Sequence, residues 1–292
     1  MKSNTHYVLA FGNWLHTLGY SPSRVQSMPR MLQEYCTWLH TQQITQIVNS
    51  TEVHVQQFMA HTSKRPNNRQ EGSITASYIN QYITVFYKFN EYLAHHKLPL
   101  LPLALTRLAP PVLVKRVVLT VDEIKAMYQA TDQTPLGMRN RAMLAIYYGG
   151  GLRRSEGVQL TLSDVLIERK LLVIRKSKNN TQRYTPINTS TLAHITNYIY
   201  NARPLLVHPN STTQALLLSE RGKGISTTRV SQCIKEIGGK AGITKEVGTH
   251  SLRHSIATHL LQSGMALENI ALFLGHKCLD STQIYTHLSH EL

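Results

Sequence analysis

Arg153 follows three glycines in "GGGLRRSE", at a point where a helix should begin. A guanidinium beside the open N–H groups of a helix start can converge on an anion. Lys176 and Lys178 lie on the polar turn "IRKSKNNTQR" between two strand-like runs, where a lysine can reach into a groove and donate a proton. "THSLRHSIATHLL" puts His250 and Arg253 three residues apart near a helix start, hence on one face. Finally, "LGHKCLDSTQIYTHL" joins a Gly-His pair to a tyrosine, Tyr285, nine residues after His276. Each residue also has an ordinary reading. Arg153 and Arg154 can be solvated charges, the lysines a hairpin tip, His276 a helix-end residue and Tyr285 core filling.

These residues need a scaffold, and the chain supplies two kinds. Residues 1–96 read as helices. "ASYINQYITVFYKFNEYLAHH" spaces Tyr78, Tyr82, Val85, Phe86, Phe89 and Leu93 by three and four, the signature of one apolar helix face. Weaker helical patterns fall near residues 5–18, 23–43 and 51–61. Pro99, Pro102, Pro110 and Pro111 then break regular structure, so residues 97–117 are expected to be a linker. From 118 to 292 the pattern is mixed. Thr120 with Glu123 makes a capping box, and "RNRAMLAIYYGGG" is a helix stopped by glycines. "DVLIERKLLVIRKSKNNTQRYTPI" holds three short β-branched runs, a small antiparallel sheet. "SLRHSIATHLLQSG" and "ALENIALFLG" are helices ended by Gly264 and Gly275, and Asp280 with Gln283 caps a short last helix that carries Tyr285. The expected fold is therefore mainly α with one small antiparallel sheet.

The bulk composition narrows the partner. Lys and Arg number 31 against 16 Asp and Glu, a net charge of +15, which favours a polyanion: nucleic acid or an acidic membrane surface. Both halves share the excess, +4 over residues 1–105 and +11 over the rest, as expected if both touch DNA. The most apolar stretch, "LPLLPLALTRLAPPVLV", contains Arg107 and four prolines and cannot cross a membrane as a helix. The start lacks the apolar core of a signal peptide. Cys36, Cys233 and Cys278 are odd in number and lack CxxC spacing, which argues against a disulfide framework or structural zinc. The expectation is a cytoplasmic, DNA-binding protein without membrane partners.

Singly the motifs are weak; in order they are specific. "GLRRSE", "KSKNNTQRYTP", "THSLRHSIATHLLQSG" and "LFLGHKCLDSTQIYTH" resemble the catalytic domain of the tyrosine recombinases, the Xer-like and phage-integrase family, over about residues 118–288. The helical half resembles, less specifically, that family's SAM-like core-binding domain. The resemblance implies roles for six residues. Arg153 is the first active-site arginine, Lys178 the hairpin lysine, His250 and Arg253 the His-x-x-Arg pair, His276 the third-box histidine and Tyr285 the nucleophile. It also implies attack on a phosphodiester of double-stranded DNA, a 3′-phosphotyrosine, a free 5′-hydroxyl and a homotetramer on paired sites.

The residue types suit that chemistry. Tyrosine, with a solution pKa near 10, needs cations and a proton acceptor. Arginines grip phosphate oxygens bidentately, better than lysine can. A 5′-alkoxide leaves poorly, so a positioned acid such as Lys178 should contribute about 10²–10⁴-fold. Because the covalent link stores the phosphodiester energy, neither metal nor nucleotide cofactor is expected. Two other classes share some of these features, a type IB topoisomerase and a non-catalytic DNA-binding protein with a relic site. A histidine cluster of His250, His254 and His259 for zinc is disfavoured, because His259 falls opposite His250 on the helix. Glu156 is expected to orient Arg153 rather than act as a base.

Overall fold

The computed structural model describes residues 3–66, 75–109, 117–175 and 182–275. Lys176, Lys178, His276, Tyr285, Cys278 and the last capping box lie outside the described residues. The chain divides into two compact units, Met1–Val114 and Lys115–Leu292.

The first unit is helical, with α1 (Asn4–Thr17), α2 (Pro22–Thr41), α3 (Glu52–Ser63) and α4 (Ala76–His95). Ser3 caps α1 and Thr75 caps α4, each hydroxyl accepting the N–H three residues on. The apolar face read from the sequence of α4 is the unit's centre. Phe89 meets Phe11 edge-on at 5.4 Å, and Phe86 meets Tyr35 at 4.9 Å.

Part of the expected linker belongs to this unit. Asn90 gives and takes a hydrogen bond with the backbone of Leu101 at 2.8 and 2.9 Å, and Asn80 does the same with Leu108 at 2.9 Å. Two amide side chains thus stand in for a strand partner. Leu101 is buried beneath them. Residues 98–109, which include Pro99 and Pro102, form neither helix nor strand and dock as extended chain.

The second unit begins with α5 (Val121–Gln129), whose capping box forms as read: Thr120 N–H donates to Glu123 at 2.7 Å and Glu123 N–H to Thr120 Oγ1 at 3.1 Å. Helix α6 (Pro135–Leu144) widens into a π-helical turn, Ala145–Gly149, before the glycines. Then come α7 (Arg154–Gln159) and a three-stranded antiparallel sheet, β1 (Val165–Leu166), β2 (Leu171–Ile174) and β3 (Arg183–Pro186). Register pairs Leu172 with Thr185 and Ile174 with Arg183. Helices α8 (Thr189–Asn197), α9 (Arg203–Leu206) and α10 (Thr227–Lys240) follow, then α11 (Thr249–Gln262) and α12 (Leu267–Leu274). The two glycine stops read for these last helices adopt the left-handed conformation, Gly264 at φ +86° and Gly275 at φ +66°. Met143, Tyr147, Leu172, Ile174, Leu252 and Tyr198, the last in a second π-helical turn at Tyr198–Ala202, lie in one core that holds α6, β2, the π turns and α11 together.

Candidate active site

The site is organised by a buried carboxylate. Arg153 is the N-cap of α7, and Glu156 sits at its third helical position. Glu156 turns back along the helix start and accepts from the Arg153 backbone N–H at 2.8 Å and from Arg153 Nη1 at 2.8 Å. Arg183, at the start of β3, adds a bidentate grip, Nη1 to Oε1 at 2.8 Å and Nη2 to Oε2 at 2.9 Å. Arg253 Nη1 approaches Oε2 at 4.0 Å. The Glu156 side chain is 1% accessible, so this is a buried charge with its countercharges supplied. Burial alone would raise its pKa; the Arg183 contacts, then those of Arg153, outweigh it and hold the carboxyl at about 2. Glu156 is therefore an ionised orienting group, as expected from the sequence, with both oxygens engaged by Arg153 and Arg183.

The helix-start anion site suggested by the glycine run is altered by the same residue. The Arg153 N–H is taken by Glu156, so what Arg153 offers is its guanidinium. The glycines have a different use. Gly151 has φ +60°, and a Cβ there would meet Phe273 at 2.7 Å and Leu274 at 3.1 Å. Only glycine lets α12 come this close.

The C-terminal end of α12 lies across these arginines. Helix ends leave carbonyls unpaired and carry partial negative charge. Arg153 Nη2 donates to the Gly275 carbonyl at 3.0 Å, and Arg253 Nη2 to the Leu274 carbonyl at 2.7 Å. Arg253 Nη1 donates to the Gly151 carbonyl at 2.5 Å, tying the glycine turn to α12. The side chain of Arg253 is 6% accessible and that of Arg153 26%, so Arg153 presents the more open guanidinium. The residue after Gly275 is His276.

Of the six residues expected to act, the structure brings Arg153 and Arg253 together around Glu156, with His250 exposed in the first turn of α11, three residues before Arg253. Among the described residues, no group of three or more His, Cys, Asp and Glu is arranged to hold a metal ion. His259 contacts the Tyr148 hydroxyl through Nδ1 at 2.8 Å, and burial lowers its pKa. Arg154 reaches Ser231 at 3.1 Å, on the exposed side. Arg183 is the member of this cluster that sequence reasoning passed over. No local pattern signalled it, because Glu156 and Arg183 stand 27 residues apart.

Residues 117–291 match the family model described as the phage integrase family. The chain is 31% identical to tyrosine recombinase XerC 2 of Ralstonia nicotianae, over 98% of this chain and 83% of that protein. It is 30% identical to tyrosine recombinase XerD of Corynebacterium glutamicum, over 93% and 89%. Among solved structures, the XerH site-specific recombinase bound to difH substrate, a pre-cleavage complex, superposes with a TM-score of 0.69 at 18% identity, covering 96% of this chain and 90% of that one. That last likeness is one of fold.

Proposed function

The chain belongs to the phage integrase family of tyrosine-type site-specific DNA recombinases, and we propose that Tyr285 is the nucleophile that cuts and rejoins the DNA. The Tyr285 oxygen attacks the scissile phosphorus; the new P–O bond forms as the bond to the 5′-oxygen breaks. Lys178 gives its proton to that oxygen, leaving a 5′-hydroxyl and a 3′-phosphotyrosine. His250 accepts the tyrosine proton, and His276 hydrogen-bonds a phosphate oxygen. Arg153 and Arg253 neutralise charge on the pentacoordinate phosphorus. A 5′-hydroxyl from another strand then attacks the phosphotyrosine and restores the backbone. Energy is conserved in the covalent link, so the cycle calls for no metal or nucleotide.

One observation carries this reading: the arginine pair read as phosphate ligands gathers at the Glu156 carboxylate and holds the last carbonyls of α12, those of Leu274 and Gly275, which come directly before His276 in sequence. A guanidinium has five N–H donors, so one arginine can hold a helix-end carbonyl and a phosphate oxygen together. Both units carry net positive charge, which supports duplex DNA as the partner of each, the helical unit serving as core-binding domain. No helix among the described residues is long and apolar enough to cross a membrane. In this reading the protein acts in the cytoplasm as a homotetramer on two paired sites.

A duplex nicked close to the cleavage point tests the reading, because the short 5′-product diffuses away and strands the enzyme on DNA. A covalent protein–DNA adduct is expected, together with joining of strands between two duplexes. No adduct would mean a non-catalytic DNA-binding protein; adduct with relaxation but no joining between duplexes would mean a topoisomerase.

A further inference from the structure

Arg183 lies at an unusual crossing. It begins β3, opposite Ile174 in the register, and its guanidinium lies flat against both oxygens of Glu156. Its side chain is 13% accessible, and its Nε is buried with no hydrogen-bond partner among the described residues. It also fills the space beside Gly275, where a Cβ would come within 2.7 Å of Arg183 Cδ and 2.8 Å of Nε. The side chain is thus wedged between the carboxylate and the end of α12. Nη1 and Nη2 each give a hydrogen bond to Glu156, and at 13% accessibility the side chain is turned toward that carboxylate rather than toward solvent.

The charge arithmetic gives it a purpose. Glu156 contacts Arg153 directly and lies 4.0 Å from Arg253. Without another cation, the charge of Arg153 would be largely spent on its own helix-start carboxylate, in a place where low dielectric makes such pairing strong. Arg183 supplies that other cation. With it, three guanidiniums face one carboxylate among the described residues, and positive charge remains for an anion.

We propose that Arg183 is a positioning residue for DNA cleavage, the resident counter-ion of Glu156 that leaves Arg153 and Arg253 electrostatically available to the scissile phosphate. This rests on the recombinase reading above. Arg183 acts through Glu156 and through the end of α12, and its removal is felt as negative potential at the phosphate.

The experiment measures the rate of covalent adduct formation by the full chain on a nicked duplex, with an ordinary phosphodiester or an uncharged methylphosphonate at the cleavage point. Arg183→Gln should be slower than wild type by roughly 10²-fold on the phosphodiester, the scale of losing one oxyanion donor. The deficit should shrink at least several-fold on the methylphosphonate, which carries less charge to neutralise. Arg183→Lys, which keeps the charge, should fall between. Adding Glu156→Gln to Arg183→Gln removes the carboxylate with its counter-ion and should restore part of the rate, a coupling that a double-variant cycle reads. An Arg183→Gln variant as fast as wild type would overturn the proposal. So would a slow variant whose deficit is the same on both substrates and undiminished by Glu156→Gln, since that is the pattern of a merely structural residue. Acid unfolding is read in parallel and does not depend on activity: Arg183→Gln should unfold at a higher pH than wild type, and an unchanged acid midpoint would overturn the counter-ion role. If the wild-type chain forms no adduct, the recombinase reading fails by itself, and acid unfolding alone judges the pairing with Glu156.

Discussion

Arg153 donates from Nη2 to the carbonyl oxygen of Gly275 at 3.0 Å, although 122 residues separate them in sequence. The bond links the first motif that suggested chemistry to the residue before the last one, and it depends on Gly275 keeping its left-handed turn. Gly275→Ala should therefore harm the protein twice. A left-handed alanine costs about 1–2 kcal/mol, and its Cβ would press on Arg183, which Glu156 holds in place. Gly264 is the comparison: its φ is +86°, but no atom lies within 4 Å of a Cβ there. Denaturant unfolding should show Gly275→Ala to be the costlier change, and only Gly275→Ala should slow adduct formation. Equal costs, or a Gly264→Ala variant with the greater loss of rate, would contradict the role given to the α12 terminus.

Acid should act through Glu156. Burial would raise its pKa, but Arg183 and then Arg153 hold it at about 2, below the ordinary value of 4.5. A depressed folded-state value means stability that is present above pH 4.5 and is lost as pH falls from 4.5 through 2. The amount is roughly 3 kcal/mol. Glu156→Gln should therefore be less stable than wild type at pH 7, with the gap closing over that acid window. Urea titrations at a series of pH values measure it, and a gap constant from pH 7 to 2 would show that the carboxylate charge is not what stabilises.

The choice between Lys178 and Lys176 as general acid is open to direct test. In sequence the two stand two residues apart, a spacing that does not choose between them, and counting back from Pro186 selects Lys178 by resemblance. A duplex with sulfur in the 5′-bridging position has a leaving group that needs no proton. Lys178→Ala should be slow on ordinary DNA and close to wild type on the sulfur substrate, with Lys176→Ala near normal on both. Rescue of Lys176→Ala instead would move the role to that residue, and rescue of neither would make His250 the next candidate.

Local patterns were readable, and contacts across the fold were not. The apolar stripe of α4, the Thr120–Glu123 box, the three short strands and the glycine stops at 264 and 275 all follow from neighbouring residues, so periodicity and capping chemistry reveal them. The orienting role of Glu156 toward Arg153 is local too, three residues along one helix start. The Arg183 grip is not, because it needs β3 to lie against α7, and no periodicity encodes that approach. Nor does any pattern show that Arg253 ties Gly151 to Leu274, or that Asn80 and Asn90 dock an extended, proline-bounded segment. Helix α10 is a different case. Val230, Cys233, Ile234 and Ile237 carry helical spacing, and that signal was sufficient although no element was expected there.

The account stands on Tyr285 as nucleophile, and the measurement that meets it most directly is covalent trapping by Tyr285→Phe. The substitution removes one hydroxyl and no charge, so affinity for duplex DNA should be kept. Wild type and variant are incubated with the same nicked duplex, and the protein–DNA adduct is quantified under denaturing conditions. The predicted result is an adduct from wild type and none from Tyr285→Phe at equal DNA occupancy. An adduct of undiminished yield from the phenylalanine variant would contradict the assignment.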